Sequence, residues 1–440
     1  MINGVNLRRW YQDEAKNGPA GTVAFVNKFR TMLGLQDAKG KLHRNGDLMS
    51  NPVLESATIK PSEVSIRELA YAFHGESYRE IYQPGGRFIR ALEGNADIGL
   101  LPGYSEAMEA GENVPSQFAN VSGFNSAALG LLEAKLLEAW NRPGYVSDLI
   151  METVPHDLRS MKFIGISQVG DVAEARDPGN VHKRMQFLER FVTTPDTVNR
   201  GIAVDITREA IMFDRTSQLL QHAEAIGDAL RLRKEYLCAD CFLGVTNTYT
   251  YDNVNYNTYL TSGNWVNKFT GGTANPLNDW TALNVAFKAA SRMTDQETGQ
   301  PVMVNLQDVM VAPGALANAK KIIDSNTVET LTAGGTTRTF GDNPAKGFGL
   351  RTPFASIYFW NRIMAANGLN LGESAADGLW WIGDFKGAFI YVQNLALTTQ
   401  RATPDSYTMA DRGLVASLFA DEMGVPGVRE PRKVQQHFSS

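Results

Sequence analysis

One uninterrupted amphipathic helical pattern, DITREAIMFDRTSQLLQHAEAIGDALRLRKEYLCADCFL, occupies residues 205–243, and it limits the chain to folds that can house a rod. Asp205 or Thr207 supplies an N-cap, because a short side-chain oxygen there can accept from an orphan amide of the first turn. No proline interrupts the run, and Gly244 stands where a left-handed stop is expected. Leu219, Ala223, Ile226, Leu230 and Leu237 recur at three- to four-residue steps, continuing to Cys241, which predicts one buried stripe. At 1.5 Å per residue the helix is about 55 Å long, more than a compact domain needs.

Just before this rod, residues 163–166 and 191–194 read as two strands. The segment joining them, QVGDVAEARDPGNVHKRMQFLER, turns at Asp177-Pro178-Gly179-Asn180. It carries Asp171, Glu174, Arg176, Lys183, Arg184, Glu189 and Arg190 and few apolar side chains. An isolated hairpin is marginal in water, and ordering its backbone costs on the order of 1–2 kcal/mol per residue. The arm cannot recover that from its own contacts, so neighbouring subunits are expected to supply them. A rod with such an arm points to a building block rather than an enzyme.

The 440 residues suffice for two or three domains. Hydrophobic residues make up 43% and aromatic ones 10%, which implies a sizeable core and excludes a disordered chain. A net charge of -5 argues against a dedicated nucleic-acid binder. With only Cys238 and Cys241 there is no disulfide framework, and a reducing compartment follows. No apolar run reaches the roughly 18 residues a bilayer span needs, and the first residues lack a secretion signal's apolar core. A soluble protein made in a cytoplasm is expected, with no membrane partner.

Residues 1–124 predict little core of their own and read as an extended arm. A short helix fits 22–33, with Val23, Val26, Phe29 and Leu33 inward. Ser65-Ile66-Arg67-Glu68 is a capping box opening a second helix. Residues 126–140 predict a clean helix with Leu129, Leu132, Leu136 and Trp140 on one side. A further helix fits 279–293, with Trp280, Leu283, Phe287 and Ala290 inward. PVMVNLQDVMVAPGALANAKKIIDS reads as a strand stopped at Pro313-Gly314 and resumed as a helix. Residues 379–382 and 387–392 read as paired strands around Gly383-Asp384-Phe385-Lys386.

This order of parts resembles the major capsid proteins of tailed bacteriophages with the Hong Kong 97-type fold. The residues carrying the resemblance are DITREAIMFDRT, TGQPVMVNLQDVMVAPGALANAKKIIDS and ADEMGVPGVREPRKVQQ, and it covers residues 126–434. It implies an α+β fold with an N-terminal arm (1–124), the start of a peripheral domain (125–161) and an extended loop (162–204). The peripheral domain continues over 205–274 with its spine helix at 205–243; an axial domain (275–394) and a C-terminal return (395–440) follow, with 427–434 as a strand. The seven charged residues of the loop would contact a neighbouring subunit. In some members lysine–asparagine crosslinks lock the shell; Lys183 lies where such a lysine would be sought, without an assignable partner. Many members lose an N-terminal scaffolding segment. Because the chain begins at Met1, that removal is not expected, and a separate scaffold or none is implied.

The resemblance further implies pentamers and hexamers in an icosahedral shell, assembled in a host bacterium's cytoplasm and carried in the virion. A portal protein, decoration proteins and non-specifically contacted double-stranded DNA are implied partners, with no cofactor. An encapsulin-type compartment shares the fold and is the alternative; a cytoplasmic enzyme using Cys238 and Cys241 is the alternative of another class. A zinc site would need more than this one CxxC, and its place on the rod favours two small buried side chains. Six scattered histidines show no metal-binding spacing. GISQVG lacks the spacing of a nucleophile elbow, and Gly347-Phe348-Gly349 lacks the rest of a dinucleotide fingerprint. Arg432-Lys433 and Arg231, Arg233 and Lys234 are short basic clusters, more often paired with acids than bound to DNA. Deleting residues 172–188 is expected to leave a soluble, assembly-defective subunit; normal capsids by electron microscopy from that deletion would contradict this reading.

Overall fold

The computed structural model describes residues 4–16, 19–35, 59–61, 64, 66–74, 115–142, 145–164, 191–207, 218–263, 265–295, 299, 301–331, 338–402 and 414–438, and every structural statement below concerns these. Two compact units emerge, each built from three separate stretches. The first holds Met1–Pro143, Asn199–Leu232 and Leu395–Met423; the second holds Gly144–Val198, Arg233–Asn394 and Gly424–Ser440. Six alternating stretches mean that the chain crosses between units five times.

In chain order the helices are α1 (Gly4–Ala15), α2 (Pro19–Met32), α3 (Ile66–His74), α4 (Pro115–Trp140), α5 (Ser147–Ile150), α6 (Gln218–Phe242), α7 (Trp280–Ala290), α8 (Leu316–Asp324), α9 (Ile357–Met364), α10 (Glu373–Asp377) and α11 (Phe385–Ala388). The strands are β1 (Glu152–Pro155), β2 (Lys162–Ile164), β3 (Phe191–Thr193), β4 (Val198–Thr207), β5 (Tyr249–Tyr251), β6 (Val254–Tyr256) and β7 (Lys268–Phe269). They continue with β8 (Asp308–Val311), β9 (Thr327–Leu331), β10 (Arg338–Asp342), β11 (Trp380–Gly383), β12 (Phe389–Ala402), β13 (Leu414–Val428) and β14 (Val434–His437).

In the first unit, α1, α2 and α3 close around aromatic rings. Phe25 lies 4.4 Å from Trp10 and 5.4 Å from Phe73, and Tyr11 is 4.5 Å from Phe73, in the tilted and edge-on arrangements that aromatic rings prefer. The buried stripe of α2 is Thr22, Phe25, Val26 and Phe29, continued by Leu33 just past its end, which turns Val23 outward at 59% exposure. Where an extended arm was expected, the described parts of 1–74 are three packed helices. Their rings lie far apart in sequence, so no local window displays the shared core. α4 starts earlier than the apolar pattern at 126 implies; Pro115, whose missing amide costs nothing at a first helical position, opens it.

The rod is shorter than expected. Asp205, Ile206 and Thr207 end strand β4 instead of starting a helix, and residues 208–217 lie outside the described set. Period two wins locally: Val204 and Ile206 face the first unit's core while 203 and 205 face outward. The Asp205 carboxylate accepts from Ser417 Oγ of β13 at 2.5 Å, so it is tied across the sheet rather than capping a helix. α6 then spans 25 residues, about 37 Å, and ends as expected at Gly244, whose φ of 74° is left-handed.

α4 and α6 touch closely enough to require a glycine. A Cβ on Gly227 would sit 2.5 Å from the Leu136 carbonyl oxygen and 2.9 Å from the Ala139 Cβ. Ion pairs rim the contact: Lys135 reaches Glu224 at 3.2 Å, and Arg142 reaches Asp228 at 3.0 Å.

The second unit centres on a four-stranded sheet in the order β7-β14-β11-β8. Trp380 faces Val311, Trp381 faces Met310 and Ile382 faces Val309. Alternation sends Trp380, Ile382, Val309 and Val311 to one side, with Leu283 of α7 and Ile322 and Ile323 of α8. Trp381 and Met310 face the other side, with Phe242, Phe359 and Phe385. Both faces are covered, so Val309–Val311 and Trp380–Ile382 read as continuous apolar runs. Phe242, at the end of α6, has Phe385, Phe389 and Trp381 within 5.5 Å. Asp279 caps α7 by accepting from Thr281 N.

The expected pairing of 379–382 with 387–392 does not form. β11 lies in the central sheet, whereas β12 joins the sheet β1-β12-β13-β4. Asp384 Oδ1 accepts from Gly387 N at 3.0 Å, capping the helical turn α11 and redirecting the chain before β12 begins. Nor is 427–434 one strand: β13 ends at Val428, and Pro431–Lys433 form a 3-10 turn before β14. Gly227→Ala gains up to about 1 kcal/mol of helix propensity but overpacks the contact by about 1–3 kcal/mol. A net loss of stability is expected in thermal unfolding, and a raised midpoint would contradict the close approach.

Candidate assembly surface

The seven charged residues singled out in the arm, Asp171, Glu174, Arg176, Lys183, Arg184, Glu189 and Arg190, lie outside the described residues. The described base of that arm is the antiparallel pair β2–β3, with Phe163 opposite Val192. Met161 N donates to Thr194 Oγ1 and Thr194 N donates to Met161 O, both at 2.9 Å, and Thr197 N donates to Arg159 O at 2.9 Å. β5 and β6 extend this sheet, joined by a turn in which Asp252 and Asn253 have φ of 50° and 63°, as a type I′ hairpin requires. Phe191 is 38% exposed and Val254 51%, so this sheet leaves apolar side chains open around the base of the arm. On the first unit, Phe419 of β13 is likewise open at 39%.

Of the stripe assigned to the rod, Leu219, Ala223 and Leu230 are buried in the first unit's core, and Ile226 is half-buried against it. Leu237 is half-buried and Cys241 fully buried. The same helix places charge inside: Glu235, fully buried, accepts from Val146 N at 2.9 Å and Ser147 N at 3.1 Å and so satisfies the start of α5. Sequence reasoning missed this role, since a Glu on a rod reads as solvated.

The Cys238–Cys241 pair does not form a reactive site. Both thiols are buried, and burial pushes Cys241 up to about 12, whereas reactive cysteines are exposed and depressed. Among the described residues, no group of three His, Cys, Asp or Glu could hold a metal ion, and no helix is long and apolar enough to cross a membrane. Within the basic clusters Arg233 is exposed, while Arg231, Lys234 and Arg432 have internal partners. Arg231 lies over the Trp140 ring at 5.7 Å and Lys234 over Tyr391 at 4.3 Å. Arg432 donates to both Glu430 oxygens, at 2.7 and 2.8 Å, and to Asp295 at 2.8 Å. Burial opposes its charge, but these carboxylates outweigh it and raise its pKa.

His437 is a further buried titratable group. Its ring is stacked between Trp380 at 4.2 Å and Phe269 at 4.6 Å. Asn275 Nδ2 lies 3.4 Å from Nδ1 and Gln435 Oε1 lies 3.1 Å from Nε2. Nδ1 therefore accepts and Nε2–H donates, which fixes one neutral tautomer, and burial lowers its pKa to about 3.

A family model for phage capsid protein matches residues 192–426, over half of the chain. No curated protein matches it. Solved structures similar to it include the capsid of a native GTA particle, at 12% identity and TM-score 0.43, covering 67% of this chain and 89% of that one. A structure of Mycobacterium phage Bobi is similar at 13% identity and TM-score 0.37, covering 68% and 90%. A virus-like particle from Pyrococcus furiosus is similar at 12% identity and TM-score 0.36, covering 70% and 97%.

The unfolded state binds a proton at His437 near pH 6.5, the folded state only near 3, so stability is full above 6.5 and falls as pH drops towards 3. The loss is on the order of 1 kcal/mol per pH unit in that window. Urea midpoints at pH 7 and 5 are expected to differ more for the natural chain than for His437→Gln; equal differences would contradict a neutral buried imidazole.

Proposed function

Because this chain belongs to the phage capsid protein family, we propose that it is the major capsid protein of a tailed double-stranded DNA phage, forming an icosahedral shell around the genome. The observation that carries the reading is the family match over residues 192–426. Its work is assembly rather than catalysis, and large obligate interfaces, typically above about 2,000 Å² in total, drive it. The apolar side chains open around the β2–β3 base and on β13 support it, since a shell subunit gains burial from its neighbours.

In this reading residues 162–204 are the extended loop, with Asp171, Glu174, Arg176, Lys183, Arg184, Glu189 and Arg190 contacting the next subunit. α6 is the spine helix of the peripheral domain, and 275–394 supply the axial domain of pentamers and hexamers. A portal protein, scaffold and decoration proteins are the further partners, and assembly takes place in the host cytoplasm. Packaged DNA is held by confinement. The mild net charge of -5 and the internal pairing of Arg432 fit a wall that does not grip phosphates.

Sedimentation and electron microscopy of the purified protein test this. Megadalton closed shells are expected, and virion-derived particles should carry a nucleic-acid absorbance ratio. A small, stable oligomer would contradict the shell, and closed shells filled with protein cargo would contradict the genome.

A further inference from the structure

β14 follows every other described element in the chain, yet it is an interior strand of the second unit's sheet. It pairs antiparallel with β11, from Trp380↔His437 to Gly383↔Val434, and parallel with β7 through Gln436↔Lys268 and His437↔Phe269. All four of its residues are buried, with Val434, Gln435 and His437 fully so. Gln435 Nε2 donates to the Ala286 carbonyl at 3.2 Å, and His437 fills the gap between Trp380 and Phe269. On its far side Phe438 N donates to Phe269 O and Asn275 N donates to Phe438 O.

Before residue 434 exists, this sheet cannot close. β7 has no other neighbour in the sheet order, and β11 keeps only β8. A two-stranded remnant is marginal alone. The Trp380 and Trp381 strand then has an open edge inside what should be core, with buried backbone groups unmet. An exposed aromatic edge is the feature most prone to wrong pairing in a polymer-forming protein.

We infer that β14 is a length check: a chain that stops, or is still being made, before residue 434 does not complete the second unit and is kept out of the assembled particle. Folding of the second unit thereby waits for residues 434–437, so only subunits that contain them present the surfaces that neighbours recognise. The exclusion from particles rests on the shell reading; the folding step does not.

Two measurements test the inference. Chains stalled on ribosomes, with residues 1–433 or 1–438 held outside the tunnel by a linker, are pulsed with protease. Tethering prevents aggregation from mimicking a folding failure. Cleavage within the second unit is expected to be at least about tenfold slower for 1–438, since cleavage tracks the open population. Equal rates would overturn the inference. In the second measurement, tagged 1–433 or tagged 1–438 is co-expressed with the full chain. The tag is expected in particles only for 1–438; its presence for both, or absence for both, would overturn the length check. If the full chain makes no particle, the shell reading fails, while the protease comparison still decides the folding step.

Discussion

The structure depends on strand pairings between residues far apart in the sequence, such as Thr153 with Tyr391, Lys268 with Gln436 and Trp380 with His437. Neither unit owns a continuous piece of chain: the first closes its sheet with residues 395–423 and the second with 424–440. The tightest expression of this is β14, whose four buried residues sit between β7 and β11. It pairs with the strand that carries Trp380 and Trp381. The indole of Trp380 donates to the Asn275 carbonyl at 2.7 Å and stacks on His437, so one strand fixes both the sheet and the start of the segment leading to α7. Such non-local pairing carries a large loop-closure cost before any contact repays it.

The same constraint explains the placement of charge. A buried ion is costly unless it is paired and hydrogen-bonded, and here the partners come from different stretches. Arg432, near the end of the chain, is satisfied by Glu430 and by Asp295 more than a hundred residues earlier. Arg362 of α9 clamps Asp240 at the end of α6 through 2.6 and 2.9 Å bonds. Arg432 and Arg362 are thus part of the framework.

Local signals were legible where one segment decides its own structure. The helix starting near 279, the stop at Pro313-Gly314, the stop at Gly244 and the strands at either end of the charged arm follow from residue type and spacing. What escaped is what tertiary pairing decides. Val434-Gln435-Gln436-His437 carry no local sign of burial, because polar side chains go inside only where distant partners such as Ala286 and Asn275 receive them. Val204-Asp205-Ile206 fits either period, and Ser417 resolves it towards a strand. The rings of Tyr11, Phe25 and Phe73 form a core only once three helices meet, so the N-terminal region looked like an arm. Of the assembly site, the charge pattern of 171–190 is visible in sequence, while the apolar rim at Phe191 and Val254 needs the fold. The likeness of residues 126–434 to capsid proteins was legible through the order of its parts rather than any single motif.

Native-state hydrogen exchange of the full chain tests the interleaved construction most directly. If the late strand is integral to the sheet, the amides of Trp380–Gly383 and Val434–His437 exchange together, with one opening free energy and one denaturant dependence. Exchange of the β14 amides at a distinctly lower opening energy, with β11 still protected, would mean that the last strand is an ornament on a sheet that stands without it.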